Sequence, residues 1–241
     1  MPINVGGNIV SSASFNGNSF NGEINSNNLK LYLDAGNTNS YAGSGTTWTD
    51  LSGNGNNGTL VNGPTYSAGT FILDGNDDYI SVPYSQFNFN TSTVIYVAKL
   101  NSSPNSRNTI FSQYYSGNGA QFEWGSDGGL RSNYRQNAAG TPENDAPNGG
   151  SQISTNTIYH VVVTYNTGGV IRHYKNGLFL GQSTNASQTD VNGGNVLTIG
   201  KNSSAGLNFK GTIYMFAIYN RVLHSAEIIA NYYGLKNRFN I

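Results

Sequence analysis

Short runs in which apolar and polar residues alternate, separated by turns rich in Asn and Gly, recur from Leu29 to Tyr219. That pattern constrains the fold more than any other feature of the chain. A side-chain period of two buries one face of a strand, and frequent turn signals fold the chain back across itself. In Leu29–Asp34 the three leucines, Leu29, Leu31 and Leu33, share one face. Residues 37–64 are turn-rich. Residues 70–73 and 79–82 flank Asp74-Gly75-Asn76-Asp77-Asp78, whose composition predicts a hairpin. Further strands are predicted over 93–100, 109–115, 120–124 and 130–134, and a loop over 137–154, which carries Pro142 and Pro147. The second half repeats the pattern over 158–165, 170–175, 178–182, 196–200 and 210–219. Asn176-Gly177 stands between two of these runs, and Asn-Gly is the strongest short hairpin signal. After Tyr219 the period changes. Ser225 can cap a helix, Glu227 suits its first turn, and Ile228, Ile229, Tyr232 and Leu235 recur at helical spacing. Gly234 or Asn237 can end it. The expected fold is all-β: an antiparallel two-sheet jelly-roll sandwich over residues 29–241, with a short C-terminal helix and an extended N-terminal arm over residues 1–28.

Composition supports many strands and tight corners. Of 241 residues only 10% are charged, against a usual ~25%, and the difference is made up by Asn, Ser, Thr and 31 Gly, with Tyr at 16 and Phe at 11. Twelve basic and twelve acidic side chains give a net charge of zero. No basic run is present to displace counterions from a phosphate backbone or to bind an anionic bilayer, so neither nucleic acid nor membrane is an expected partner. There is no Cys, which removes disulfides, thiolate metal sites and a Cys nucleophile from consideration. The apolar runs are too short to span a membrane. The start, Met-Pro-Ile-Asn-Val-Gly-Gly, lacks the basic and apolar regions of a signal peptide.

Residues 1–28 are polar, with isolated apolar positions, and Ser14-Phe15-Asn16-Gly17 returns five residues later as Ser19-Phe20-Asn21-Gly22. One reading is a plain leader. The other is an assembly arm that docks on a partner through Ile9, Val10, Phe15 and Phe20.

The order of several motifs carries a resemblance. Leu31-Tyr32-Leu33-Asp34-Ala35-Gly36 precedes Trp48-Thr49-Asp50-Leu51-Ser52-Gly53-Asn54-Gly55-Asn56-Asn57-Gly58-Thr59-Leu60, then Leu73-Asp74-Gly75-Asn76-Asp77-Asp78-Tyr79-Ile80. Tyr159 to Tyr165, Lys175-Asn176-Gly177, Leu197 to Gly200, Phe209 to Ile213, Tyr219 to Leu223 and Glu227-Ile228 follow in order. Over about residues 29–235 this resembles the laminin-G-like, concanavalin-A-like lectin/glucanase superfamily. With its Gly-Asn-rich leader it resembles domains common in bacteriophage virion proteins. The resemblance implies a two-sheet jelly roll that binds carbohydrate or protein in many members and hydrolyses in some.

Several residue groups are candidates for chemistry. The hydrolase branch of that superfamily carries Glu-x-Asp-x-x-Glu on one strand. This chain has four Glu in all, Glu23, Glu123, Glu143 and Glu227, and none has that neighbourhood. Glu123 with Asp127 is the nearest pair. Four residues of strand span about 13 Å, whereas retaining and inverting glycosidases need carboxyl separations of about 5–5.5 Å and about 6.5–9.5 Å; a turn at Gly125 shortens the gap. Asp74, Asn76 and Asp78 alternate as at the start of an EF-hand loop, but Tyr79 and Ser85 stand where its Gly and Glu belong. Calcium is therefore the one cofactor considered, held by Asp74, Asn76 and Asp78, against ordinary turn chemistry. Asp50 to Gly58 lacks the Gly-Lys-Ser/Thr ending of a phosphate loop, and Trp48 reads as core. His160, His173 and His224 share no metal spacing. A glycan surface is expected around Tyr114, Tyr115, Trp124, Tyr134 and Arg135. The functional expectation is a non-enzymatic virion structural protein, decorating a capsid or associated with a tail or fibre, homo-oligomeric within an assembly with other virion proteins and able to touch surface glycans. Its location is then the virion. A stand-alone lectin and a glycoside hydrolase are the alternatives.

Overall fold

The structure is a computed structural model. It describes residues 3–5, 8–10, 13–15, 18–20, 24–83, 87, 89–102, 107–115, 118–135, 144–145, 152–166, 168–184, 196–202 and 207–241; at 3–20, 114–115, 118, 133–135 and 144–145 the description is of the backbone. Near the N-terminus lie two small ribbons, β1 (Ile3–Val5) with β2 (Asn8–Val10), and β3 (Ala13–Phe15) with β4 (Asn18–Phe20). The sandwich begins with β5 (Leu29–Asp34) and continues through β6 (Thr47–Trp48), β7 (Gly58–Val61), β8 (Thr65–Ser67), β9 (Thr70–Asp74) and β10 (Tyr79–Pro83). Then come β11 (Ser92–Leu100), β12 (Arg107–Tyr115), β13 (Asn118–Gly125), β14 (Leu130–Arg135), β15 (Asn144–Asp145) and β16 (Ile158–Tyr165). The chain closes with β17 (Val170–Lys175), β18 (Leu178–Thr184), β19 (Val196–Ile199), β20 (Lys210–Tyr219) and the helix α1 (Ser225–Phe239).

Two eight-stranded antiparallel sheets result. The first runs β15-β14-β13-β12-β19-β10-β7-β6, and the second β18-β17-β16-β11-β20-β9-β8 with β5 also on β20. The ten-residue β20 is shared on one edge: Lys210 to Ile213 pair with β9, and Met215 to Tyr219 with β5. Between the sheets lies the main core, which includes Leu31, Leu33, Trp48, Phe71, Val94, Tyr96, Phe111, Phe122, Trp124 and Phe216. The second sheet is buried on both faces along its central strands. Its central strand β11 alternates Val94, Tyr96 and Ala98 into the main core with Ile95 and Val97 toward α1, where Ile228, Leu235 and Phe239 close a second cluster.

The structure differs from the sequence reading in four places. The Asp74–Asp78 segment does not turn a hairpin: β9 belongs to the second sheet and β10 to the first, so it is a corner between layers. Side chains replace ladder bonds there, as Asp78 Oδ2 accepts from the Asp74 N–H and Asp74 Oδ1 from the Asn76 N–H. The turn-rich stretch 37–64 contains β6 and β7. These strands are too short and too glycine-bearing to show a period of two. The helix begins one residue past His224, not after Ser225: His224 is the N-cap, and its N–H donates to Glu227 Oε2 at 2.9 Å. Gly234 lies inside the helix, which ends at Asn240 in a left-handed conformation. The predicted loop at 137–154 falls mostly outside the described residues, apart from β15 and residues 152–154. The Asn176-Gly177 hairpin forms as expected, with φ of 50° and 76°.

The backbone register places Ile9 and Val10 opposite Asn4 and Ile3, and Phe15 and Phe20 opposite Asn18 and Ala13; their side chains lie outside the described part. The β3–β4 ribbon approaches α1 of its own chain.

Candidate functional site

Trp124 is a correction to the expected glycan surface. It has no exposed area; its indole N–H donates to Tyr96 Oη at 2.9 Å, and Phe209 meets its ring edge-on at 5.7 Å. In β13 the alternation sends Ala120, Phe122 and Trp124 into the core and Gln121 and Glu123 to the other face. A Trp flanked by polar neighbours on a strand is the residue that alternation buries. Tyr114, Tyr115, Tyr134 and Arg135 lie on the same three strands by backbone register, Tyr114 and Arg135 both opposite Gly119 and Tyr134 opposite Ala120. Their side chains are outside the described part.

The face opposite the core carries a buried acid. Glu123 is 1% exposed, and its carboxylate accepts from Gln121, from Thr109 Oγ1 at 3.3 Å and from Asn202 Nδ2 at 3.4 Å. Arg107 Nη1 lies 3.4 Å from its other oxygen. Asp127 belongs to the turn after β13. Arg131 holds it through two bonds, at 3.1 and 2.7 Å, and the Gly129 N–H adds a third. The Arg131 guanidinium and the Gly129 N–H hold the Asp127 carboxyl below its usual range. Each carboxylate therefore has its own arginine.

The second candidate is the acidic corner between β9 and β10. Gly75, at φ 81°, lets the chain turn where a Cβ would stand 2.7 Å from that of Lys210. Asn208 then secures the corner by donating to the Asn76 carbonyl. Asp74, Asp77 and Asp78 each bring an oxygen to within 4.8 Å of the others. Asp74, whose oxygens accept the N–H groups of Asn76 and Asp77, is held below its ordinary range. Asp78 is pushed up, first by burial and then by its acidic neighbours. The Asn76 amide donates to Asp74 Oδ2 at 2.9 Å. Of the expected triplet, Asp74 and Asp78 are brought together and Asn76 donates to Asp74, while Asp77 joins them. An alternation rule skips Asp77, because alternation holds along a strand and this segment is bent. The available signal was three Asp within five residues. Calcium takes about six to eight oxygens; the corner offers hard carboxylate oxygens of the right kind, part of such a set.

The Asp50 loop is structural. Its carboxylate accepts from the Tyr32, Ser52 and Asn56 N–H groups and the Ser52 hydroxyl, at 2.7–3.0 Å. Asn54 and Asn56 donate to the Leu29 and Lys30 carbonyls. Together they tie residues 50–56 to β5.

Residues 74–229 match the sequence model of the Laminin_G_3 family, described as the concanavalin A-like lectin/glucanases superfamily. A comparison with curated protein sequences yields no match. Among solved structures, the binding domain of paraclostridial mosquitocidal protein 1 superposes with a TM-score of 0.70 at 18% identity, over 89% of this chain and 53% of that one. The botulinum neurotoxin serotype D binding domain gives 0.66 at 17%, over 87% and 52%. Trypanosoma rangeli sialidase gives 0.66 at 17%, over 88% and 33%. The chain thus spans about half the length of the two toxin domains and a third of the sialidase, and at these identities the likeness is one of fold.

Proposed function

This chain belongs to the concanavalin A-like lectin/glucanases superfamily, and on that premise we propose that it is a non-catalytic binding module of a virus particle, a lectin-like sandwich that decorates a capsid or tail fibre and contacts host glycans. The observation that carries the binding reading over the hydrolytic one is the state of Glu123. A glycosidase acid must reach a glycosidic oxygen, whereas this carboxylate is buried, accepts from three neighbours and faces Arg107. Asp127, held by Arg131, is no better placed to work with it. That two of the structural neighbours are named as binding domains is in keeping with recognition. The particle setting rests on the leader, with its repeated Ser-Phe-Asn-Gly, which supplies apolar positions for neighbouring subunits.

The test is electron microscopy and peptide mass analysis of purified virus particles. The reading expects the chain at repeated positions on the particle surface, with residues 1–28 at a subunit junction. Recovery of the chain solely as a free monomer overturns it. Hydrolysis of any polysaccharide by the wild type that is lost in Glu123→Gln overturns the non-catalytic part. Calcium, where it binds, is held by Asp74, Asp77 and Asp78 and rigidifies the corner between the layers.

A further inference from the structure

A cleft of about 460 Å³ opens where the end of α1 meets the β8–β9 turn and the loop after β5. We propose that it is a binding site for an uncharged saccharide, which places the glycan contact of the proposed function, and rests on it, at the helix end and not on the strands β12 to β14.

Part of the lining is bare backbone, beside Tyr66, whose hydroxyl donates to the Ala35 carbonyl. Gly36 and Gly69 lie so close that a Cβ on Gly69 would stand 3.0 Å from the Gly36 Cα, and Ala68 adds one methyl group. The opposite wall is aromatic: Tyr214 and Phe239 meet edge-on at 5.7 Å. Polar groups rim the space, namely the Thr70 hydroxyl, the exposed Asn240 amide and the Arg238 guanidinium. The volume falls within the ~300–1,000 Å³ of small-molecule sites. The charge in it is balanced, because Arg238 gives one N–H from each Nη to the buried Asp34. An arginine has five N–H groups, so donors remain, fixed in place and without a surplus of charge to attract an anion. An aromatic wall beside fixed donors and acceptors suits a pyranose, which has an apolar C–H face and a rim of hydroxyls. An anionic ligand would have to compete with Asp34, and an aliphatic one would leave the polar rim unpaired.

The full chain is tested on an array of neutral and acidic glycans and by titration with glucose, galactose, mannose, N-acetylglucosamine and their disaccharides. Two variants accompany it. Tyr214→Ala removes one of the two rings of the aromatic wall. Thr70→Val with Asn240→Gly removes two polar contacts and keeps the left-handed helix cap, so it remains informative if Tyr214→Ala does not fold. The proposal expects a neutral saccharide bound by the wild type, with affinity reduced about tenfold or more in a folded variant. Wild-type affinity in every variant that folds, the Thr70→Val/Asn240→Gly protein alone if Tyr214→Ala does not, overturns the cleft and leaves glycan contact standing. Binding confined to acidic glycans overturns the ligand class. Binding of no glycan by the wild type overturns both the cleft and the glycan contact.

Discussion

Asp34 has no exposed surface, yet its two oxygens serve Arg238, the Tyr32 hydroxyl at 2.9 Å and the Gly36 N–H at 3.0 Å. A buried carboxylate is tolerated only with such a set of donors. Arg238 comes from the last turn of α1, 204 residues away, so this one residue pins the helix end to β5. The ion pair and bonds to Asp34 hold the Arg238 guanidinium above its ordinary range, and burial raises the Tyr32 phenol. Arg238→Met strands the Asp34 charge. Removing one partner of a fully buried pair costs about 3–5 kcal/mol; with the Arg238 side chain 38% exposed, the expected loss is about 2 kcal/mol, read from urea unfolding. An unchanged midpoint would show that the pair contributes nothing to stability. Trp124 shows how far a residue's type can mislead. Its indole N–H has a partner in Tyr96, so a surface-seeking group is satisfied inside the core.

Elements carry the next set of consequences. The β17–β18 hairpin touches α1 through Gly177, whose φ of 76° suits glycine and whose absent Cβ would lie 3.0 Å from the Tyr232 ring. Gly177→Ala therefore meets two penalties, a left-handed alanine at about 1–2 kcal/mol and a displaced Tyr232. The expected outcome is that loss of stability together with faster amide exchange in α1; exchange unchanged throughout α1 would separate hairpin from helix. At the β9–β10 corner the five-residue segment is stapled by its own carboxylates. Calcium bound there stabilises the folded chain by mass action, about 2.7 kcal/mol at a hundredfold excess over Kd. A higher Tm in calcium chloride than in EDTA, abolished by Asp77→Asn, is the expected result, and equal Tm values would remove calcium from the account.

Across the whole molecule, two histidines set the acid limit. His160 and His173 are fully buried on the second sheet, and burial alone lowers them to about 3 and about 4. His173 Nε2 meets Ser132 Oγ at 3.0 Å across the sandwich, and His160 packs 5.9 Å from Tyr232 of α1. Their folded values lie below the unfolded value of about 6.5, so the unfolded chain binds more protons under acid. Their contribution is complete above pH 6.5 and falls as pH drops from there toward 3, by about 1.4 kcal/mol per unit for each fully titrating group. The urea midpoint is expected to fall between pH 7.5 and 5, and less steeply in His160→Gln; a flat profile in the wild type would contradict it. Nothing in the sequence singled these histidines out, since a His in a strand can face either layer. By itself the sequence determined the longer strands from Leu29 onward, though not the short β6, β7, β8 and β15, together with the Asn176-Gly177 hairpin, the terminal helix and the sandwich class, because period and turn chemistry are local properties of the chain. Only the tertiary structure decided that the Asp74–Asp78 segment crosses between layers, that Trp124 and Glu123 are buried and that Arg238 meets Asp34. Each of those depends on which strands pair and which faces are covered, and that is settled by contacts between residues far apart in the chain.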